Sequence, residues 1–154
     1  MAVVPRMTFR GHKFDVRTVR MIQWAEKKAG IQFNIAQGSY NPGVVAASAG
    51  VHDKGGAVDL SLRGLNSREI DTILKAMKDA GFAAWHRIPS QGFPSEHIHG
   101  IAIGCRDLAP IAARQVQSFD AHKDGLKSNL IDPSYHPAPK VQFNIIKNKP
   151  VPRV

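Results

Sequence analysis

Two short stretches of the sequence bring together side chains that bind metal ions. The first, HDKGGAVD, places six residues between His52 and Asp59. The second, EHIH, places His97 and His99 on either side of one residue, directly after Glu96. Two neutral imidazoles and a carboxylate are a favourable ligand set for zinc, and three protein ligands leave a fourth position for water. Zinc lowers the pKa of that water to about 7, so the two stretches predict a hydrolytic metal site.

The elements predicted around these stretches can bring the side chains to one point. His52 belongs to a loop in which Gly55 and Gly56 permit a sharp turn. Asp59 lies in an apolar strand, where burying an unpaired carboxylate is costly, so a cation is the expected partner. Side chains alternate along a strand, so both histidines of the second stretch share one face. One of them can complete the site, while the adjacent Glu96 or the other histidine can transfer protons.

Capping residues and apolar spacing predict the remaining helices and strands. Asp15 can begin a helix over 15–29, and Asn66 with Glu69 forms a capping box for a second helix that Gly81 ends. Strands are predicted over 31–36, 57–62, 82–87 and 97–103, with a loop over 88–95 and a short helix after Asp107. This order predicts an α+β fold, in which a small, mainly antiparallel sheet carries the metal site and packs against two or three helices on one side.

The composition of the chain changes near residue 120. The 154 residues suffice for one domain with its own core, which we place at 1–120. The later segments DPSYHPAPK and KNKPVPRV are rich in proline and basic residues. We therefore expect 121–154 to be an extended tail or a docking strap without a second core, to which VQFNII can add a strand.

The net charge of +9 favours a polyanionic partner, either nucleic acid or an anionic cell-wall polymer. The sequence contains no recognised nucleic-acid-binding motif and no basic stripe with interleaved aromatic residues. We therefore expect no specific nucleic-acid partner.

The cysteine content and the first residues indicate the compartment of synthesis. The single cysteine, Cys105, excludes a disulfide scaffold and a cysteine-rich zinc module. The start, MAVVPRMTFRGHKF, contains no apolar run long enough for a signal peptide, and no segment approaches the roughly 20 apolar residues of a membrane helix. We expect synthesis in a reducing cytoplasm, no membrane partner and a monomer.

The first stretch resembles the His-x-x-Gly-x-Ala-x-Asp-Leu signature of zinc D-alanyl-D-alanine carboxypeptidases and L-alanyl-D-glutamate endopeptidases, and EHIHGIAI resembles the second half of their site. The wider superfamily includes lysostaphin-type endopeptidases, the Hedgehog signalling domain and several phage endolysins. The resemblance covers residues 15–105 and implies that His52, Asp59 and His99 bind zinc. It also implies that Glu96 is the general base and that His97 orients groups or stabilises the oxyanion. In the alternative assignment, His97 is the third ligand and His99 the helper.

The loop ahead of the first ligand departs from the family pattern. The family often has a Tyr-Arg pair there, whereas in this chain Asn41 stands in the place of the arginine. Arg87 is an alternative source of positive charge. Substrate contacts are therefore expected from Gln37, Ser39, Tyr40 and His86.

The combined pattern predicts a zinc-dependent peptidoglycan peptidase, either an endopeptidase or a carboxypeptidase, that resembles phage endolysins. Its basic charge would hold it on an anionic cell wall. It would reach the wall after release through a holin-type pore or by delivery with a virion. Two alternatives from other classes stay open, namely a non-catalytic zinc-stabilised module and a basic nucleic-acid-binding domain.

Overall fold

The computed structural model describes residues 3–43 and 50–153. Within these ranges lie the helices α1 (Val16–Ala29), α2 (Ser67–Ala80) and α3 (Pro110–Asp120). The strands are β1 (Arg6–Phe9), β2 (His12–Asp15), β3 (Asn34–Gln37), β4 (Ala57–Ser61), β5 (Phe82–Arg87), β6 (His97–Ala102), β7 (Val141–Asn144) and β8 (Lys149–Pro152). The predicted α+β class is confirmed. None of the described helices has the length and apolar character needed to cross a bilayer.

Four antiparallel strands form the central sheet in the order β3-β4-β6-β5. β1 pairs with β2, and β7 with β8, in two separate hairpins. In the central sheet Asp59 on β4 lies opposite His99 on β6, and His99 lies opposite Trp85 on β5. Residues that face each other across neighbouring strands project to the same side, so these three side chains share one face of the sheet.

α1 and α2 cover the other face of the sheet. Both begin where the sequence indicates, because the Asp15 side chain accepts a hydrogen bond from the Thr18 amide and because Asn66 and Glu69 form the capping box. Gly81 ends α2 in the left-handed conformation, with a φ of 101°. The strand residues buried under the two helices are Val58, Leu60, Phe82, Ala84, Ile98 and Ala102. Each large aliphatic side chain buried in this way contributes about 1.5–3 kcal/mol.

α3 packs on the face that carries Asp59 and His99, whereas the sequence predicted all helices on one side. It joins a second apolar cluster, whose buried members are Val51, Ala57, Ala83, Trp85, Ile101, Ile103, Ala109 and Ala112. The reason lies in β5 and β6, in which five of six residues each are buried. Strands that are buried on both faces need a cover on both faces.

Part of the predicted tail reaches the main core. The β7–β8 hairpin packs against α2, and the Phe143 ring is 3% exposed within the same cluster as the α2 residues. The Arg17 guanidinium on α1 donates hydrogen bonds to the carbonyls of Phe143 at 2.9 Å and of Ile103 at 2.8 Å. The β7–β8 hairpin therefore packs on the core as a strap across α2.

Candidate metal centre

Three side chains meet on the face of β4 and β6 that α3 covers. The Oδ1 atom of Asp59 lies 3.3 Å from His52 Nε2 and 2.7 Å from His99 Nδ1. The three candidate ligand atoms all lie within 4.8 Å of one another. His52 is 1% exposed and His99 is 6% exposed. His52, Asp59 and His99 could therefore hold a metal ion.

Backbone contacts fix His52 in the loop before β4. Its Nδ1 lies 2.8 Å from the Gly38 carbonyl oxygen, which places the N–H proton on Nδ1 and turns Nε2 towards Asp59. The Asn41 amide donates a hydrogen bond to the His52 carbonyl at 2.8 Å. A Cβ atom at Gly38 would lie 2.7 Å from the Lys13 carbonyl oxygen, so only glycine permits this close approach.

The paired glycines between the first two ligands have separate roles. Gly56 has a φ of 81°, in the left-handed region, and its amide donates a hydrogen bond to Asp15 Oδ1 at 2.9 Å. A Cβ atom at Gly55 would lie 2.8 Å from the Tyr40 hydroxyl oxygen. Gly56 therefore forms the turn, and Gly55 leaves room for the Tyr40 hydroxyl, so that His52 and Asp59 reach the same side of the sheet.

Two residues position His99 from its outer side. The His99 ring stacks on Trp85, with ring centroids 5.8 Å apart and 20° between the planes. Its Nε2 lies 2.8 Å from Gln115 Oε1 on α3. The Gln115 amide nitrogen lies 3.4 Å from the Gly125 carbonyl oxygen, which leaves Oε1 to accept the proton of His99 Nε2. Sequence reasoning missed Gln115, because a lone glutamine on a helix carries no metal-site signature.

The ionisation tendencies of the three side chains differ: Asp59 and His99 favour the deprotonated forms that bind a metal, whereas at His52 a proton competes with a cation. Burial opposes ionisation of Asp59, but the two imidazoles outweigh it and lower its pKa below the usual range. Burial lowers the pKa of His99, so its ring tends to be neutral. Burial also opposes charge on His52, but the contacts with Asp59 and Gly38 raise its pKa. A neutral His99 has one N–H but faces two acceptors, Gln115 Oε1 and Asp59 Oδ1, and a cation between Nδ1 and Oδ1 satisfies both contacts.

The three candidate ligands line a cleft of about 1400 Å³, which both predicted catalytic residues also line. His97 shares the face of β6 with His99, and its Nδ1 lies 3.0 Å from the Ser95 carbonyl oxygen. This contact leaves Nε2 as the basic nitrogen of His97. The Glu96 carboxylate contacts His86 Nε2 instead. His86 follows Trp85 on β5, so alternation places its side chain on the face away from the three ligands.

Of the three residues predicted to bind substrate in the loop before His52, one lines the cleft and two bond to other parts of the fold. Gln37 lines the cleft at the end of β3. Ser39 is 2% exposed, and its hydroxyl donates a hydrogen bond to the Ala57 carbonyl at 2.8 Å. The Tyr40 hydroxyl donates a hydrogen bond to the Asp107 carboxylate at 2.8 Å. Ser39 and Tyr40 therefore hold the loop in place, and neither belongs to the described lining of the cleft.

Arg87 places a positive charge in the cleft. It is 1% exposed, and its guanidinium lies 4.8 Å from the centroid of the Trp85 ring and donates a hydrogen bond to the Asp124 carbonyl. Burial lowers its pKa to about 10, which still leaves it charged at neutral pH. Asn41 lines the cleft as well. Arg87 on β5 therefore provides a positive charge in the cleft, whereas the Asn41 side chain provides none.

No protein-family model, curated protein or solved structure matches the chain. The resemblance to zinc peptidases thus depends on the residues of the two stretches. The fold and the site together define an α+β protein with a three-residue candidate metal centre in a cleft.

Proposed function

We propose that the protein is a zinc-dependent peptidase that hydrolyses amide bonds in peptidoglycan peptides. The observation that carries the proposal is the buried set of two imidazoles and one carboxylate in a cleft of about 1400 Å³. Structural zinc sites use four protein ligands, whereas three ligands and an accessible fourth position are typical of catalytic sites. The described residues offer three ligands, and the cleft provides the access. The net charge of +9 supports binding to an anionic cell wall.

The residues around the ligands have tasks that follow from their contacts. A bound zinc ion would act as a Lewis acid and lower the pKa of a water molecule. Trp85 and Gln115 hold the His99 ring in place, and the Gly38 carbonyl does the same for His52. Arg87 provides a preorganised charge in the same cleft for the negative charge that develops on the oxygen of an attacked carbonyl.

The contacts favour His97 over Glu96 for proton transfer. His97 lines the cleft, its Nδ1 contacts the Ser95 carbonyl so that Nε2 is the nitrogen left to take a proton, and histidine is the side chain that most often acts as a general base. The Glu96 carboxylate is engaged by His86. Glu96 remains the alternative base, as the resemblance to the carboxypeptidases implies.

Two substitutions distinguish these candidates. We expect His97→Ala to lower kcat on a wall peptide by about 100- to 10,000-fold, the usual contribution of a general base, while zinc stays bound. We expect Glu96→Gln, which keeps the size of the side chain, to lower kcat by less than about tenfold, since its charge is not required for the reaction in this arrangement. Both variants are compared with His136→Ala, which changes an exposed histidine. A larger loss for Glu96→Gln than for His97→Ala would assign the base to Glu96.

The proposed function is tested by zinc analysis followed by digestion of isolated peptidoglycan. We expect about one zinc ion per chain in the wild type and in His136→Ala, and none in His52→Ala. Mass spectrometry of the digests should show newly formed amino termini with the first two proteins only, and a chelator should prevent their formation. Purified protein that neither contains nor takes up zinc would exclude the mechanism.

The contact between Glu96 and His86 also favours a second candidate function, a zinc-stabilised module without catalysis. In that case the Glu96 carboxylate stabilises the fold through His86 and takes no part in a reaction. Zinc-loaded protein that leaves peptidoglycan from several cell-wall types intact would support this candidate.

A further inference from the structure

Three consecutive carbonyl groups in the segment 123–125 accept hydrogen bonds from side chains around His99. This segment follows α3 and belongs to the region that the sequence predicted to be a tail or strap. The pairs are Trp85 Nε1 with Lys123 at 2.9 Å, Arg87 with Asp124, and Gln115 Nε2 with Gly125 at 3.4 Å. The segment therefore has a partner on β5 and on α3 at once.

Two of these donors contact His99 directly. The Trp85 ring stacks on the imidazole, and Gln115 Oε1 lies 2.8 Å from Nε2. The third donor, Arg87, packs over the outer part of the stack, with its guanidinium 4.8 Å from the Trp85 ring. The orientation of His99 is thus linked through its neighbours to one short piece of backbone.

The backbone amides of the segment donate hydrogen bonds to residues on both sides of it, which holds its carbonyls in position. The Lys123 amide donates to the Ser118 carbonyl at 2.8 Å, and the Asp124 amide donates to the Leu130 carbonyl at 2.8 Å. The Gly125 amide donates to a side-chain oxygen of the exposed Asn129 at 3.1 Å. A scaffold that is ordered in this way can fix the geometry of a ligand before the metal binds.

We propose that Gln115, held by the segment 123–125, keeps the proton of His99 on Nε2 and so presents the Nδ1 lone pair to the metal. Gln115 is a positioning residue, and the segment 123–125 positions the side chains that surround His99. The inference rests on the proposed function only in requiring that zinc binds at His52, Asp59 and His99. It makes no use of the substrate or of the scissile bond.

Three variants of the full chain test the role of the Gln115 amide oxygen. We expect Gln115→Leu, which removes the acceptor, to weaken zinc binding by about 10- to 100-fold in competition with a chromophoric chelator. We expect Gln115→Glu, which keeps an acceptor oxygen, to restore affinity to within about threefold of the wild type. Gln117→Leu makes the same change at an exposed position of α3 and should leave affinity unchanged. The absorption spectrum of bound Co2+ should change in Gln115→Leu alone, since the ring of His99 is then free to turn.

A backbone substitution tests the segment independently. Gly125 has a φ of 71°, and an added Cβ atom would lie 3.4 Å from both Gln115 Cγ and Trp85 Cζ2. Gly64 has a φ of 81°, with no atom within 4 Å of an added Cβ atom. Both Gly→Ala changes strain the backbone, but only Gly125→Ala should weaken zinc binding by about tenfold or more. Thermal melts of the metal-free variants show which of them are folded.

The outcomes separate this inference from the proposed function. Wild-type zinc affinity in both Gln115→Leu and Gly125→Ala would overturn the inference, whether or not the wild type cleaves peptidoglycan. Weakened zinc binding in these variants would support it even if no wall peptide is cleaved, and in that case the proposed function alone would fail. A wild type that does not bind zinc would overturn both.

Discussion

Replacing Asp59 with asparagine should abolish zinc binding and lower peptidoglycan hydrolysis by about 1000-fold or more. Among the three candidate ligands in the described part of the chain, Asp59 alone is anionic, and its Oδ1 contacts both imidazoles. An amide of the same shape carries no charge, so the site loses its main attraction for a dication. A bound metal provides several kcal/mol of transition-state stabilisation, and each 1.36 kcal/mol corresponds to a factor of ten in rate.

Elemental analysis and the initial rate of wall-peptide release measure the two effects of Asp59→Asn. The matched control is Asp71→Asn, which makes the same change at an exposed position of α2. It should retain both zinc and activity. Full hydrolysis by a zinc-free Asp59→Asn protein would show that the reaction does not use this metal centre.

Replacing Trp85 with alanine should lower the free energy of unfolding by about 3–5 kcal/mol, the usual cost of removing a large buried aromatic side chain. Trp85 is 1% exposed and touches the site and α3 together, since it stacks on His99 and meets Phe119 edge to face at 5.6 Å. Its indole also donates the hydrogen bond to Lys123. The alanine variant therefore leaves a cavity and an acceptor without its donor.

Urea unfolding of the metal-free proteins measures this loss without the contribution of a bound ligand. Trp24→Ala makes the same change on α1, where the side chain is only half-buried, and should cost less than half as much. Trp85→Phe keeps a ring for the stack but lacks the donor, so we expect a loss of about 1–3 kcal/mol. Equal losses for Trp85→Ala and Trp24→Ala would contradict the structural role assigned to Trp85.

The candidate ligands could be predicted because their signals are local. The spacing of His52 and Asp59 around a glycine turn, and the alternation in β6, place side chains on a face without knowledge of the rest of the fold. The capping residues Asp15 and Asn66 are local signals as well, and both helices begin where these residues predict. The β1–β2 hairpin was not predicted, because β1 is mostly exposed and strands of four residues are too short to show apolar alternation.

The surroundings of the ligands could not be predicted, because they depend on contacts between distant parts of the chain. Gln115 approaches His99 only because α3 folds over the site face of the sheet. The carbonyl groups of the segment 123–125 are backbone atoms and therefore leave no trace in the residue types. The loop residues Ser39 and Tyr40 have the polarity of substrate-binding groups, but the Ser39 hydroxyl bonds to β4 and the Tyr40 hydroxyl bonds to Asp107.

The strap formed by the β7–β8 hairpin has a consequence for the order of folding. Its Phe143 ring completes the core under α2, and its backbone accepts hydrogen bonds from Arg17, 126 residues earlier in the chain. A growing chain cannot close this core before residue 143 has left the ribosome. Contacts between such distant residues slow folding, because the entropy of closing the long loop is lost before the contact forms. The core under α2 is therefore completed late, after the strap has docked, and a partly synthesised chain lacks the ring that fills it.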